Sequence, residues 1–220
     1  MKRTLIVGAS GGIGGALVHN VESRGESVVA LSRSIDGLEI VDEKSVADCL
    51  DRLDGWFDRI VVATGALSGA GYRPEKTLKS LDPAAIAAQF ALNATGPMLV
   101  LKHALRLLPR DRRSVFAVLS ARVGSIGDNR LGGWYSYRAS KAALNQLVHT
   151  AAIEVARSHS QAICVTLHPG TVATAFTRDY PNHVSVSSQE AAQNLLRVMD
   201  GLSTADTGGF FDWAGKQVVW

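Results

Sequence analysis

The chain reads as an α/β protein: one doubly wound parallel sheet with helices on both faces, in a single domain spanning residues 1–220. Three observations carry this. Short apolar, β-branched runs alternate with helical patterns from one end to the other. The first such run enters a glycine loop, Gly8-Ala9-Ser10-Gly11-Gly12-Ile13-Gly14, that opens a helix. No repeat, linker or low-complexity stretch breaks the alternation.

Thr4–Val7 is the first strand, and the helix after its glycine loop carries Leu17, Val18 and Val21 and stops at Gly25. Ser27–Leu31 is the second strand. Strand, loop, helix and strand fit in about thirty residues, the size of a βαβ unit. A third, short strand is expected around Leu38–Val41, then a helix near Glu43–Leu53 and an apolar strand, Ile60–Ala63, running into Thr64-Gly65. Asp82-Pro83 supplies an N-cap and a first-turn proline for a long helical pattern reaching about Leu108. Within it Pro97 has no N–H for the carbonyl of Asn93, so a bend and a free Asn93 carbonyl, open to water, are expected there. Val115–Leu119 is the next strand, followed by a helix from about Tyr137, a buried strand Ile163–Leu167 and the loop His168-Pro169-Gly170. The polar stretch Thr171–Ser185 is expected to form a mobile lid. Ser187-Ser188-Gln189-Glu190 is a capping box for a helix to Met199, closed by Gly201, and Phe210-Phe211-Asp212 is a last strand.

At 220 residues, 46% hydrophobic and 20% charged, the chain can bury a substantial core. The net charge of +3 is dispersed, and the compact cationic run Arg110-Asp111-Arg112-Arg113 is broken by an acid, so nucleic acid is not an expected partner. Cys49 and Cys164 lie in no metal-ligand or redox spacing and read as reduced packing residues. The apolar run after Met1-Lys2-Arg3 is too short for a signal peptide, and no apolar run is expected to approach membrane-spanning length. A cytoplasmic location without membrane attachment is expected.

Two clusters carry chemistry. Glycines at 8, 12 and 14 let the backbone approach a pyrophosphate at a helix N-terminus, whose free N–H groups favour anions, which points to a dinucleotide and a Rossmann-type fold. Ser32-Arg33 ends the second strand where an NAD-specific fold would place an acid, so a 2′-phosphate, and NADP(H) over NAD(H), is favoured. Tyr137 and Lys141 stand one helical turn apart, and an ammonium near a phenol favours its charged form, giving a tyrosine able to exchange a proton with substrate. Leu144, Leu147, Val148, Ala151 and Val155 would pack that helix on a core.

Gly8/Gly12/Gly14, Asn93, Tyr137-x-x-x-Lys141 and Pro169-Gly170-x-Val172-x-Thr174, in this order, resemble the short-chain dehydrogenase/reductase family over the whole chain. The run Gly124-Ser125-Ile126 through Gly132-Gly133-Trp134-Tyr135-Ser136-Tyr137-Arg138-Ala139-Ser140-Lys141 is most similar to small C-factor and sniffer-type carbonyl reductases. The resemblance implies reduction of an aldehyde or ketone, or the reverse alcohol oxidation. Tyr137 would donate the proton, Lys141 would lower its pKa and hold a ribose, and Asn93 would hold a relay water. It also places Ser10, Ile13, Glu39, Ile40, Gly65, Pro169, Gly170, Val172 and Thr174 at the cofactor, and implies a homodimer or homotetramer. The alanines 84, 85, 87, 88 and 91 suit such helix contacts. Three departures from the family pattern stand out: Val7 for a threonine, Val62-Ala63-Thr64-Gly65 for Asn-Asn-Ala-Gly, and Ala121 for the serine expected three residues before Gly124. Ser125, and after it Ser120, are the candidates for the missing hydroxyl. An NADP-binding regulatory protein with weak or no turnover is the alternative reading.

Overall fold

A computed structural model describes residues 1–69, 72–174 and 185–220. Six strands, β1 (Arg3–Val7), β2 (Ser27–Leu31), β3 (Arg59–Val62), β4 (Ser114–Leu119), β5 (Ala162–His168) and β6 (Phe210–Asp212), form one sheet in the order β2-β1-β3-β4-β5-β6. Every neighbouring pair is parallel. The order reverses between β1 and β3, and in such sheets ligands sit outside the carboxyl ends of the strands at that reversal. Side chains alternate between two cores. Leu5, Val7, Ile60, Val62, Phe116 and Val118 face one, and Ile6, Val61, Val115, Ala117, Ile163 and Val165 face the other. Because both faces are covered, the strands read as continuous apolar runs.

The helices are α1 (Gly12–Ser23), α2 (Arg33–Asp36), α3 (Glu43–Asp51), α4 (Pro83–Phe90), α5 (Gly96–Ala104), α6 (Tyr135–Val155) and α7 (Ser188–Gly201). α1 and α7 pack together over one core; α3, α5 and α6 bury Val46, Leu50, Val100, Leu101, Leu144 and Val148 in the other, with α4 against α6. The start of α7 agrees with its reading, Ser187 Oγ accepting the Glu190 N–H at 3.1 Å.

Two expectations need correction, the short third strand and the absence of an apolar run of membrane-spanning length. The strand over Leu38–Val41 does not form. Gly37, at φ 70°, closes α2, and Ser45 Oγ donates to the Gly37 carbonyl at 2.8 Å while accepting the Glu39 N–H at 2.9 Å. A side chain of α3 thus serves backbone groups that a strand would have paired. Leu38 and Ile40 are buried, which produced the apolar alternation, and β2 is left as the edge strand. The break expected at Pro97 takes the form of a π-turn, Ala91–Thr95, just before it, with the Gly96 N–H reaching the Ala91 carbonyl. Finally, the helical run Pro83–Leu107 is by length and composition apolar enough to cross a membrane. Gln89 and Asn93, which interrupt its apolar pattern, are both buried. The expected lid, Thr171–Ser185, lies mostly outside the described residues.

Candidate active site

The glycine loop is shaped by close backbone approach. Gly8 adopts φ 93°, and the Gly8 and Ala9 N–H groups bond the Leu31 carbonyl at 2.8 and 3.1 Å. A Cβ on Gly14 would run into the Gly8 carbonyl, and one on Gly12 would stand 2.7 Å from Thr174 Cγ2. Thr174 therefore lies over the first turn of α1. The N-cap of α1, Gly11, offers no side-chain cap, and the first turn carries no acid. This end of the helix suits an anion. Ser10 is exposed and Ile13 half-buried beside it.

The π-turn directs Asn93 inward, fully buried. Its amide pairs with the backbone of Ala66, Oδ1 accepting the N–H and Nδ2 donating to the carbonyl, both at 3.0 Å. Nδ2 also meets Gln89 Oε1 and, at 3.3 Å, Ser140 Oγ, which donates to the Tyr137 carbonyl at 2.9 Å. Gln89 Nε2 donates to the Leu67 carbonyl at 3.0 Å. The loop after β3 is thus clamped to α4 and α6. A Cβ on Gly65 would sit 3.0 Å from Asn93 Oδ1 and 3.3 Å from Lys141 Nζ, so Gly65, Asn93 and Lys141 converge on one point.

Tyr137 and Lys141 are both buried in the first turns of α6. Lys141 Nζ donates to the Leu119 carbonyl at 2.9 Å and lies 6.0 Å from the centre of the Tyr137 ring. Burial pushes the ammonium down to about 7 and the phenol above its ordinary range. Burial is what raises the phenol, and no lowering by Lys141 accompanies it in this structure. At neutral pH Tyr137 is a protonated phenol, the form a proton donor needs.

The two serines are placed differently. Ser120 faces α6, its Oγ donating to Asn145 Oδ1 at 2.7 Å, one turn beyond Lys141. Its proton is committed. Ser125 Oγ accepts the Asp128 N–H at 3.1 Å, which leaves its own proton to give. The preceding Gly124 lies against Lys141, where a Cβ would stand 2.8 Å from Lys141 Cβ. Ala121 is half-buried between them. His168 ends β5 opposite Asp212. Burial, helped by Arg122 and opposed by Asp212, takes its imidazole down to about 4, so it is neutral at pH 7. Pro169 and Gly170 follow, Gly170 at φ 82° with the Trp213 ring beside it, and Val172 is buried in a bridge to Val186.

At the end of β2, Arg33 is 79% exposed and 3.7 Å from Glu39. The Ser32 hydroxyl, in contrast, is occupied: it accepts the Ile35 N–H and lies 3.3 Å from Asp36 Oδ2, a carboxylate that also takes the Ser32 N–H at 2.7 Å. The assistance expected of Ser32 toward a 2′-phosphate thus competes with an N-cap. Ile40 packs on Gly96, where a Cβ would meet its carbonyl at 2.9 Å. A cleft of about 670 Å³ opens on the connection between β3 and α4, lined by Tyr72, Arg73 and Glu75 among others; Tyr137 is not in its wall.

A parallel doubly wound sheet with a glycine loop at its order reversal and a buried Tyr/Lys pair beside it defines a dinucleotide-dependent oxidoreductase. Residues 2–185 match the short chain dehydrogenase family model, and the chain belongs to that family. It is 31% identical to the 1-hydroxy-2-glutathionyl-2-methyl-3-butene dehydrogenase of Rhodococcus sp. strain AD45, over the whole of both chains. It is 34% identical to C-signal of Myxococcus xanthus over 65% of this chain and 83% of that one. Among solved structures, NADPH-bound carbonyl reductase from chicken fatty liver superposes with a TM-score of 0.85 at 22% identity, over 100% of this chain and 94% of that one. A short-chain dehydrogenase/reductase of Burkholderia multivorans with bound NADP gives 0.82 at 25% identity, over 100% and 99%.

Sequence reasoning did not find Gln89, Ser140, Asn145 or Glu75. The first three had a signal: each lies three or four residues from Asn93, Tyr137 or Lys141 on the same helical run, hence on the same face. Glu75 had none, being far from its partners in sequence.

Proposed function

We propose that the protein reduces an aldehyde or ketone with NADPH, Tyr137 giving the proton. The observation that carries this is the burial of Tyr137 and Lys141 side by side, next to Gly65 and Asn93, at the carboxyl edge of the sheet. The chemistry required of the cofactor is hydride transfer. The residues present fit such a group: the uncapped first turn of α1 and the cradle of Gly8, Gly12 and Gly14 suit a diphosphate, Thr174 closes over it, and Lys141 would hold the ribose. Arg33 is solvent-accessible where a 2′-phosphate would lie. Tyr137 then holds its proton at the phenol oxygen until a substrate oxygen accepts it, and Ser125 is the hydroxyl available to polarise that oxygen. A homo-oligomer is part of the reading, since Ala84, Ala87 and Ala88 are exposed on α4; sedimentation at micromolar concentration checks it.

A second reading, an NADP-binding regulator, is favoured by Ala121 and the commitment of the Ser120 proton to Asn145. A panel of aldehydes and ketones with NADPH, followed by absorbance, separates the two. Steady turnover on any carbonyl supports the enzyme. Tight NADPH binding with no oxidation across the panel supports the regulator.

A further inference from the structure

The helix that carries Tyr137 starts without a cap of its own. Its N-cap, Trp134, makes no side-chain cap bond, and its first turn holds no acidic residue. Trp134 stands at φ 51°, the one non-glycine residue with positive φ among the described residues. An α6 N-terminus built this way should fray, and with it the first turn, Tyr135 to Tyr137.

What holds it comes from the connection between β3 and α4. Glu75 is buried, and its carboxylate grips Ser136 twice: Oε1 accepts the hydroxyl proton and Oε2 accepts the Ser136 N–H at 3.2 Å. The Glu75 carbonyl accepts the Trp134 N–H at 2.6 Å. One residue, 61 positions earlier in the chain, therefore caps the helix with both its side chain and its backbone. Its negative charge also lies at the positive end of the helix dipole. The Trp134 ring meets Tyr137 edge to face, centroids 6.3 Å apart. Lys141, one turn deeper, is secured independently by the Leu119 carbonyl and by its packing on Gly124.

We propose that Glu75 is the positioning residue for Tyr137, capping α6 from outside it so that the phenol is held still while Lys141 and the cofactor site are not affected. This rests on the reading of Tyr137 as the proton donor.

The test compares wild type, Tyr137→Phe, Glu75→Ala, Glu75→Gln and Ser136→Ala, with kcat expressed per NADPH-binding site from fluorescence titration. Glu75→Ala should lower kcat on the order of 30-fold or more with the Kd for NADPH unchanged within about twofold. Glu75→Gln, whose amide can still accept the Ser136 N–H and meet its hydroxyl, should restore most of the loss, and Ser136→Ala should fall between. A residue serving stability alone would lower the number of binding sites and the Tm but not kcat per site. If Glu75→Ala does not fold, Ser136→Ala decides: reduced kcat per site supports the inference, and wild-type kcat overturns it. Full kcat in folded Glu75→Ala also overturns it while Tyr137→Phe is inactive. If Tyr137→Phe itself turns over like wild type, the donor assignment has failed instead.

Discussion

The two ends of the sheet treat a buried cation in opposite ways. At the amino edge Arg59, the first residue of β3, is almost wholly buried, and it bonds Glu26 at 2.5 Å and Asp200 at 2.8 Å, with Thr4 at 3.4 Å. Asp200 in turn holds Lys2 and Arg24. Burial works against the Arg59 charge, but its bonds to Glu26 and Asp200 outweigh it and hold the guanidinium above its ordinary value. At the carboxyl edge Lys141 is as deeply buried, and among the described residues no carboxylate lies within ion-pair distance of it; its partner is a carbonyl. Thr64, Asn145 and His168, near the same edge, each keep a buried polar atom without a hydrogen-bond partner, as does Thr166 within β5; at the amino edge Ser114, the first residue of β4, does so too. A satisfied network ties strands and α7 together, whereas unsatisfied groups are costly and are expected where a ligand completes them. On the proposed function, the amino edge serves chiefly the fold and the carboxyl edge the chemistry.

The largest expected effect sharpens that division. Tyr137→Phe should reduce turnover by about a thousandfold, within the usual range for losing a general acid, with NADPH affinity and melting temperature near wild type. A comparable loss of stability would place Tyr137 in the wrong half of the comparison. Ser125→Ala should slow turnover about a hundredfold at saturating NADPH, as for loss of one oxyanion donor, and Ser120→Ala much less. The reverse order would return Ser120 to the site and make its bond to Asn145 rearrange on binding.

Arg59→Met tests the other edge. It should cost about 3 kcal/mol in urea unfolding, since Glu26 and Asp200 lose the cation between them, while kcat of the folded protein stays unchanged. Asp200 adds a pH signature. Burial raises its pKa, but bonds from Lys2 and Arg59 prevail and hold it below the usual carboxylate value. The stability it contributes is present above the unfolded carboxylate pKa and is lost as pH falls through the lower folded value, so acid unfolding should begin at higher pH in Arg59→Met. The smallest effect is at the edge strand: Arg33→Asp should weaken NADPH relative to NADH by about tenfold, roughly one exposed charge-assisted contact. Equal binding of both cofactors by the wild type would remove the NADP preference.

Legibility in the sequence followed locality. The βαβ start, the Tyr137/Lys141 pair and the helix caps at Asp82 and Ser187 depend on residues a few positions apart, and each is where the pattern placed it. Leu38–Val41 misled because burial of alternate residues looks the same whether a strand or the Ser45 side chain satisfies the backbone. The site's electrostatics are not local in this sense either. Spacing brings Lys141 to Tyr137 but says nothing of the burial that dominates both pKa values. Glu75 and the Arg59 network join residues from distant parts of the chain, and no local pattern marks them.

The most direct measurement is the stability of wild type and Lys141→Met, without cofactor, as a function of pH. Lys141 is depressed to about 7 by burial, against an ordinary value of 10.5. Its charge therefore opposes folding in full below pH 7, and the penalty shrinks as pH rises toward the unfolded value, because there the unfolded chain binds the extra proton. The account expects Lys141→Met to be the more stable protein at pH 7.5, although inactive, and the difference to narrow by about 1.4 kcal/mol per pH unit up to pH ~9.5. A variant less stable than wild type at pH 7.5, or a difference that does not change with pH, would mean that Lys141 is compensated like Arg59, and the contrast between the two edges would be contradicted.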